Sequence, residues 1–251
     1  MNNMALALTF SLVLIALFIS YRQKLGLEKD MLIGSIRAVV QLSAVGFVLK
    51  FVFNIDNVLL TIVILLLMVY NAAVVATKRG AGISGVRLIS FCSILAGLVI
   101  TLSGLLAFQA ISFNPSEVIP VSGMVVGNSM VALGLLYRNL LSSFKDRREE
   151  VEVKLCLGAA PREAARTLIR SSIRTAMIPT IDSMKTLGIV QLPGMMTGLI
   201  LAGTPPELAI KYQIMVIFML TGAVTISGFV ASFWAYRGFF NDKAQLVDDS
   251  H

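Results

Sequence analysis

The sequence predicts an all-α, polytopic helical membrane protein with about seven transmembrane helices, and three observations predict it. Hydrophobic residues make up 57% of the 251 residues and charged ones 14%, whereas a soluble domain carries roughly 25% charged residues. The apolar residues fall in runs of about 20, the length a helix needs to cross a hydrocarbon core of roughly 30 Å. The basic residues fall between those runs and on one side of them. A soluble fold of this composition would leave much apolar surface in water.

Six runs are plain: 4–20, 31–52, 58–77, 88–111, 119–141 and 212–236. The first has only Met1-Asn2-Asn3 before it and no small-x-small cleavage site after it, so it reads as a retained span rather than a secretory signal. The remaining run, from Ile173 to Gly203, would measure about 46 Å as a straight helix. It carries Pro179, Gly188, Pro193, Gly194 and Gly198, and proline removes a backbone donor and kinks a helix. A broken span over 175–203 is therefore expected, interrupted near Gln191-Leu192-Pro193-Gly194; a re-entrant hairpin is the alternative.

Orientation follows from Lys and Arg. With the N-terminus outside, seventeen of the 21 basic residues lie inside. They are Arg22, Lys24 and Lys29; Lys78, Arg79 and Arg87; Arg138, Lys145, Arg147, Arg148, Lys154, Arg162, Arg166, Arg170 and Arg174; and Arg237 and Lys243. Only Lys50 and Lys211 lie outside, while Arg37 and Lys185 lie within spans. The expected topology is N-out and C-in in an inner membrane, one membrane domain over 1–251, with a polar, disordered tail from Asn241 to His251.

The same distribution argues against nucleic acid, despite a formal charge of +7, because no compact basic face forms. Cys92 and Cys156 are too few for a disulfide framework or a zinc site. No G-x-x-x-x-G-K-[ST] loop is present, so ATP cannot be cradled in the usual way. No histidine precedes His251, and Asp182 is the one clear acid at membrane depth. An enzyme and a resident cofactor are not expected.

The connection 142–174 is the candidate functional element. A charged helix containing Glu149, Glu152 and Leu155 should stop at Gly158, since glycine suits the helix C-terminus. A second should start at Pro161, with Glu163 at the favourable end of its dipole. Ala160 before it offers no capping oxygen. Arg162, Arg166, Arg170 and Arg174 then repeat every four residues as one stripe. Such a helix suits lipid phosphates at the inner surface, or a groove on a cytoplasmic motor subunit; the two are compatible.

Within the spans, Arg37 and Gln41 lie one turn apart and share a face. Arg37 either snorkels to the inner surface or belongs to a polar seam. Asp182 and Lys185, three apart, form a neutralising pair of structural or transport significance. Asn71, Asn128 and Ser129 suit contacts between helices, and Gly123 to Gly127 suits close helix approach. The break at Gln191, Pro193 and Gly194 frees backbone carbonyls of the kind that line transport cavities. Met184, Met195 and Met196 read as packing, and no metal site is assigned.

Glu152 and Gly158 match the spacing of the Glu-Ala-Ala-x-x-x-Gly coupling loop of ABC permeases, with Val153 and Lys154 in place of the alanines. A closer match lies in Leu157-Gly158-Ala159, Ala176-Met177-Ile178-Pro179, the stretch from Met184 to Gly198, Ile200-Leu201-Ala202-Gly203, Pro205 and Tyr212-Gln213. These residues, with Arg37, Gln41 and Asn71, strongly resemble the FetB family over nearly the whole chain. The resemblance implies the membrane subunit of an iron-exporting ABC transporter, with plant relatives linked to aluminium tolerance. It also implies a FetA-like cytoplasmic ATP-binding partner, which the missing phosphate loop independently requires. A pathway with two sides further predicts a homodimer. Ala159, Pro161, Arg162 and Arg166 join Glu149, Glu152, Leu155 and Gly158 as the expected coupling surface. Iron comes from the resemblance alone; import of a small solute, or a scaffold without transport, remains open on the residues.

Overall fold

The structure, a computed structural model, describes residues 3–55, 57–241 and 243–247. It divides into two compact units, 1–57 and 58–251.

The first unit is a helical pair, α1 (Asn3–Arg22) and α2 (Glu28–Ile55). The turn between them passes through Lys24 at φ 53° and Gly26 at φ 70°. Ser20 donates across it to Glu28 Oε1 at 2.8 Å.

The second unit is a bundle of α3 (Val58–Arg79), α4 (Val86–Ala107), α5 (Pro115–Asp146), α8 (Arg166–Thr186) and α10 (Pro206–Ala235). Three short helices join it: α6 (Arg148–Cys156), α7 (Pro161–Ala164) and α9 (Gly194–Leu201). Pro115 and Pro206 stand in the first turns of α5 and α10, where a missing N–H costs nothing. On α3 the buried stripe Leu65, Val69, Ala72 and Ala76 follows the helical repeat. In α5 burial is wider: Leu133, Leu136, Tyr137 and Leu140 are all fully covered. This helix is the hub, packing against α3, α4, α8 and α10.

Among the described residues, five helices are long and apolar enough to cross a membrane: 28–53, 58–79, 86–107, 115–146 and 206–239. The apolar part of α1 with described side chains, Thr9–Arg22, is shorter. The chain is thus a helical membrane protein.

The break expected near Gln191–Gly194 falls where the chain has one, between α8 and α9, but the expected start at 175 requires correction. Helix α8 begins at Arg166 and runs unbroken through Pro179 to Thr186, so no boundary falls at 174. The segment 142–174 takes in the end of α5, which continues to Asp146, and then α6. A further correction concerns Pro161, which opens a single turn that stops at Ala164. The interruption itself lies between Thr186 and Gly194, where the Thr186 carbonyl accepts from Val190 at 2.9 Å and Gly188 takes φ 79°. Short α9 then packs against α10.

The tail is corrected too. Phe239 stacks on Phe144 of α5 with centroids 4.0 Å apart. Asn241 Oδ1 accepts from the amides of Lys243 and Gln245, and the Val247 amide donates to the Phe239 carbonyl at 3.0 Å. The expectation of disorder treated a polar segment as unanchored, but its aromatic start ties it down. Residues 242 and 248–251, His251 among them, lie outside the described residues.

Side-chain contacts gather the connections at one pole. Gly238 sits against Ile83 and Ser84, Phe144 against Phe239, and Ser172 Oγ donates to Asn139 Oδ1 at 2.9 Å. Lys78, Arg79, Arg87, Lys145 and Arg147 border the turns that meet there. The charge count along the chain thus becomes one basic pole of the bundle.

Candidate functional site

The basic pole carries an elbow between α6 and α7. Its first arm is held by ion pairs on the helix surface: Lys154 with Glu150 at 2.6 Å and Arg148 with Glu152 at 2.7 Å. Buried Val151 seats that arm. Hydrogen bonds from Lys154 and Arg147 hold the Glu150 carboxyl below its ordinary pKa. A lowered folded pKa contributes stability above the unfolded value, and that contribution is lost as pH falls through the folded one. Hydrogen-exchange protection over residues 148–156, with the pH dependence of the intrinsic rate divided out, should therefore fall on acidification before that of α5 does. Glu150→Gln should flatten the effect, and an unchanged profile in that variant would reject it.

Gly158 ends α6 as expected, with φ 88°. The Ala159 amide reaches the Lys154 carbonyl at 3.0 Å and the Gly158 amide the Leu155 carbonyl at 2.9 Å, a paired closure that needs a left-handed residue. The chain turns, and Ala160 leads into Pro161 without a side-chain cap.

Seven of the eight residues expected to form the coupling surface line adjoining cavities here. Glu152, Leu155, Gly158 and Ala159 face Lys243 to Leu246 across one of about 580 Å³. Pro161 and Arg162 face Tyr236, Arg237 and Phe240 across another of about 440 Å³. Arg162 and Arg166 enter a third between α8 and α10, of about 260 Å³. Glu149 is exposed and lines none of them. The segment 236–246 was missed in sequence; its aromatic cluster Tyr236, Phe239 and Phe240 was the available signal. Leu157, at the tip of the elbow, is 83% exposed, an apolar knob without cover.

A second feature is the open side of α8. Ser171, Arg174, Ile178, Asp182 and Lys185 are exposed, and their spacings of three and four place them on one face. Asp182 and Lys185 form an ion pair at 3.8 Å, with side chains 62% and 71% exposed. The other side of α8 packs against the middles of two long helices. Ala176, Pro179, Thr180 and Ser183 share a cavity of about 120 Å³ with Asn128, Val131, Ala132 and Leu135 of α5 and Leu220 of α10. Thr221 donates to Met184 Sδ at 3.1 Å. The exposed pair therefore lies level with the middle of the bundle.

The remaining expected path residues divide. Asn128 borders that small cavity, but its amide donates to Met124 of its own helix at 2.8 Å. Asn71 likewise donates to Leu67; neither makes the contact between helices that was expected. Ser129 does, against Ser227 of α10 at 3.2 Å. Gly123 closely faces Met68, whereas Gly127 has open space, correcting the idea that both mark close approach. Gln191, Pro193 and Gly194 form the turn between α8 and α9, away from this cavity. Arg37 and Gln41 are exposed one turn apart on α2 of the other unit. Met184 serves α8–α10 packing. Cys92 and Cys156 are free thiols.

Comparison with known proteins fits this architecture. The model of "Uncharacterised protein family (UPF0014)" matches residues 3–240. The chain belongs to the UPF0014 family. It is 48% identical over 246 residues to the "Probable iron export permease protein FetB" of Escherichia coli K12, covering 98% of this chain and 95% of that one. It is 40% identical over 250 residues to the "UPF0014 membrane protein YjkA" of Bacillus subtilis, covering 98% of both. With the Arabidopsis thaliana "Protein ALUMINUM SENSITIVE 3" it shares 38% over 234 residues, covering 93% and 86%. No solved structure matches. The likeness to FetB read from sequence motifs is thus a family relationship over the whole chain. Within this UPF0014 chain, the elbow and the open side of α8 are two places where polar chemistry departs from simple packing.

Proposed function

We propose that this chain is the membrane-spanning permease subunit of an ABC-type exporter, working as a homodimer in the bacterial inner membrane. A FetA-like ATP-binding subunit would dock on the elbow at the basic pole. Residues 1–251 would form one permease domain of seven crossings, N-out and C-in, with α8, the turn after it and α9 together as the broken sixth crossing.

The observation that carries this reading is the Asp182–Lys185 pair. Ionisable groups at membrane depth are costly and are kept off lipid, facing protein or a water-filled cavity. An exposed pair level with the middle of the bundle needs either of those against it. A second copy enclosing an aqueous path supplies both. The cargo follows from kinship: the E. coli relative's name specifies iron, and another metal or small solute fits the same residues. ATP-driven motion of the partner would push Glu152, Leu155 and Arg162, and α5 and α8 would tilt with them.

The chain should copurify with its ATP-binding partner. Gly158→Pro and Leu155→Asp should each reduce that recovery about tenfold, because one destroys the left-handed turn and the other replaces an apolar contact in the cavity by a second acid beside Glu152. Reconstituted vesicles should show ATP-dependent iron flux away from the ATPase side. Full recovery of the ATPase with both variants would remove the coupling surface. Inward flux would make the chain an importer, and absence of flux for every solute a scaffold.

A further inference from the structure

The cavity between α7, α8 and the end of α10 has a divided lining. Arg162, Arg166 and Arg170 supply its basic side, and Ile169, Ile173, Phe229 and Phe233 its apolar side. Ser232 and Tyr236 add hydroxyls, and Glu163 adds one opposing charge. Glu163 pairs with Arg166 at 3.4 Å on the surface. Arg170 has no ion-pair partner among the described residues. The Arg162 guanidinium lies over the Phe233 ring at 4.8 Å and that of Arg237 approaches it at 6.0 Å, which sets the cations at the mouth.

The two sides are ordered along the bundle. Going from Arg162 to Ile173 on α7–α8, or from Tyr236 to Phe229 on α10, each path leaves the basic pole for the body of the bundle. Cations therefore stand at the polar boundary and apolar side chains continue inward from them. A soluble anion would use only the first part, and an acidic protein segment would leave Ile173 and Phe229 against acyl chains. A molecule with a phosphate at one end and hydrocarbon at the other uses both.

We infer that this groove binds one anionic phospholipid of the surrounding leaflet, its phosphate on Arg166 and Arg170 and its acyl chain along Ile173 and Phe229. The groove shares Arg162 and Tyr236 with the cavity beside Pro161 and no residue with the one that faces residues 243–246, and it does not depend on what the protein transports.

Trp234, the single tryptophan, follows Phe233 on α10 just outside the lining of the groove and serves as a nearby quenching probe, with the arginine variants supplying the assignment to the site. The purified chain in neutral-lipid nanodiscs is titrated with brominated phosphatidylglycerol or brominated phosphatidylcholine, and Trp234 quenching is followed. The anionic lipid should half-saturate at a concentration about 10- to 30-fold lower, the effect of roughly two arginines at a membrane surface. Arg166→Gln with Arg170→Gln should abolish that preference, while Arg147→Gln, at the end of α5, should keep it as a fold and charge control. Inorganic phosphate should fail to displace the lipid. Equal quenching by both lipids, or an unchanged preference in the double variant, overturns the site. Displacement by inorganic phosphate, or by an acidic peptide without loss of neutral lipid, would show an anion or protein groove instead and also overturn it.

Discussion

Gly97→Leu should lower the melting temperature of the purified protein by on the order of 6–12 °C. The reason is the crossing of α4 and α10. A Cβ on Gly97 would meet the Ala223 carbonyl oxygen at 3.0 Å and collide with Ser227 Oγ. The carbonyl belongs to a helix backbone and cannot turn away. Ser227 can rotate, but only by giving up its buried hydrogen bond to Ser129, and such bonds between membrane helices average about 0.6 kcal/mol. Overpacking typically costs about 1–3 kcal/mol, and a leucine stands at the upper end of that range. For a chain of this size each kcal/mol moves the midpoint by about 2–4 °C. Gly97→Ala should lie between, and adding Ser227→Ala should recover part of its loss by removing the colliding oxygen. A leucine variant that melts with the parent protein would show that the crossing is not close.

The second large effect is on transport. Asp182→Lys should reduce ATP-driven flux at least about tenfold, because two like charges then share one helix face without a counter-ion. An uncompensated lysine at the centre of a span costs about 2.5–3.5 kcal/mol, more than the 1.4 kcal/mol that corresponds to a factor of ten. The swap Asp182→Lys with Lys185→Asp restores a neutral pair at the same spacing. It should restore yield and thermal stability while leaving flux low, since a path reads where each charge stands and packing reads only their sum. Flux equal to the parent's in Asp182→Lys would exclude α8 from the pathway wall. Full recovery of flux in the swap would reduce the pair to a structural role.

Where sequence reasoning succeeded, the signal was chemical and local. The uniform apolarity of α3, α4, α5 and α10 located them within a few residues, and Gly158 ended α6 where glycine's freedom at positive φ is needed. It failed where neighbours decide. Helix α8 is polar on one side, so reading by apolarity divided it at 175 between a surface helix from Pro161 and a span, whereas Arg166–Thr186 is one helix. Gly97 is one glycine among 19, and only the approach of Ala223 sets it apart. The groove beside Phe233 joins residues of α10, far away in sequence, to the arginine stripe. Periodicity showed that stripe but not what faces it.

Helix α5 is 32 residues long, about 48 Å at 1.5 Å per residue, whereas a hydrocarbon core is roughly 30 Å. Its one internal proline, Pro120, lies near the start, so no joint interrupts it between Val121 and Asp146. A rod of that kind behaves as a lever. Torque applied at the end from which α6 hangs would be carried along it as far as Pro120, and α3, α4, α8 and α10, all resting on it, would have to move with it or slide past.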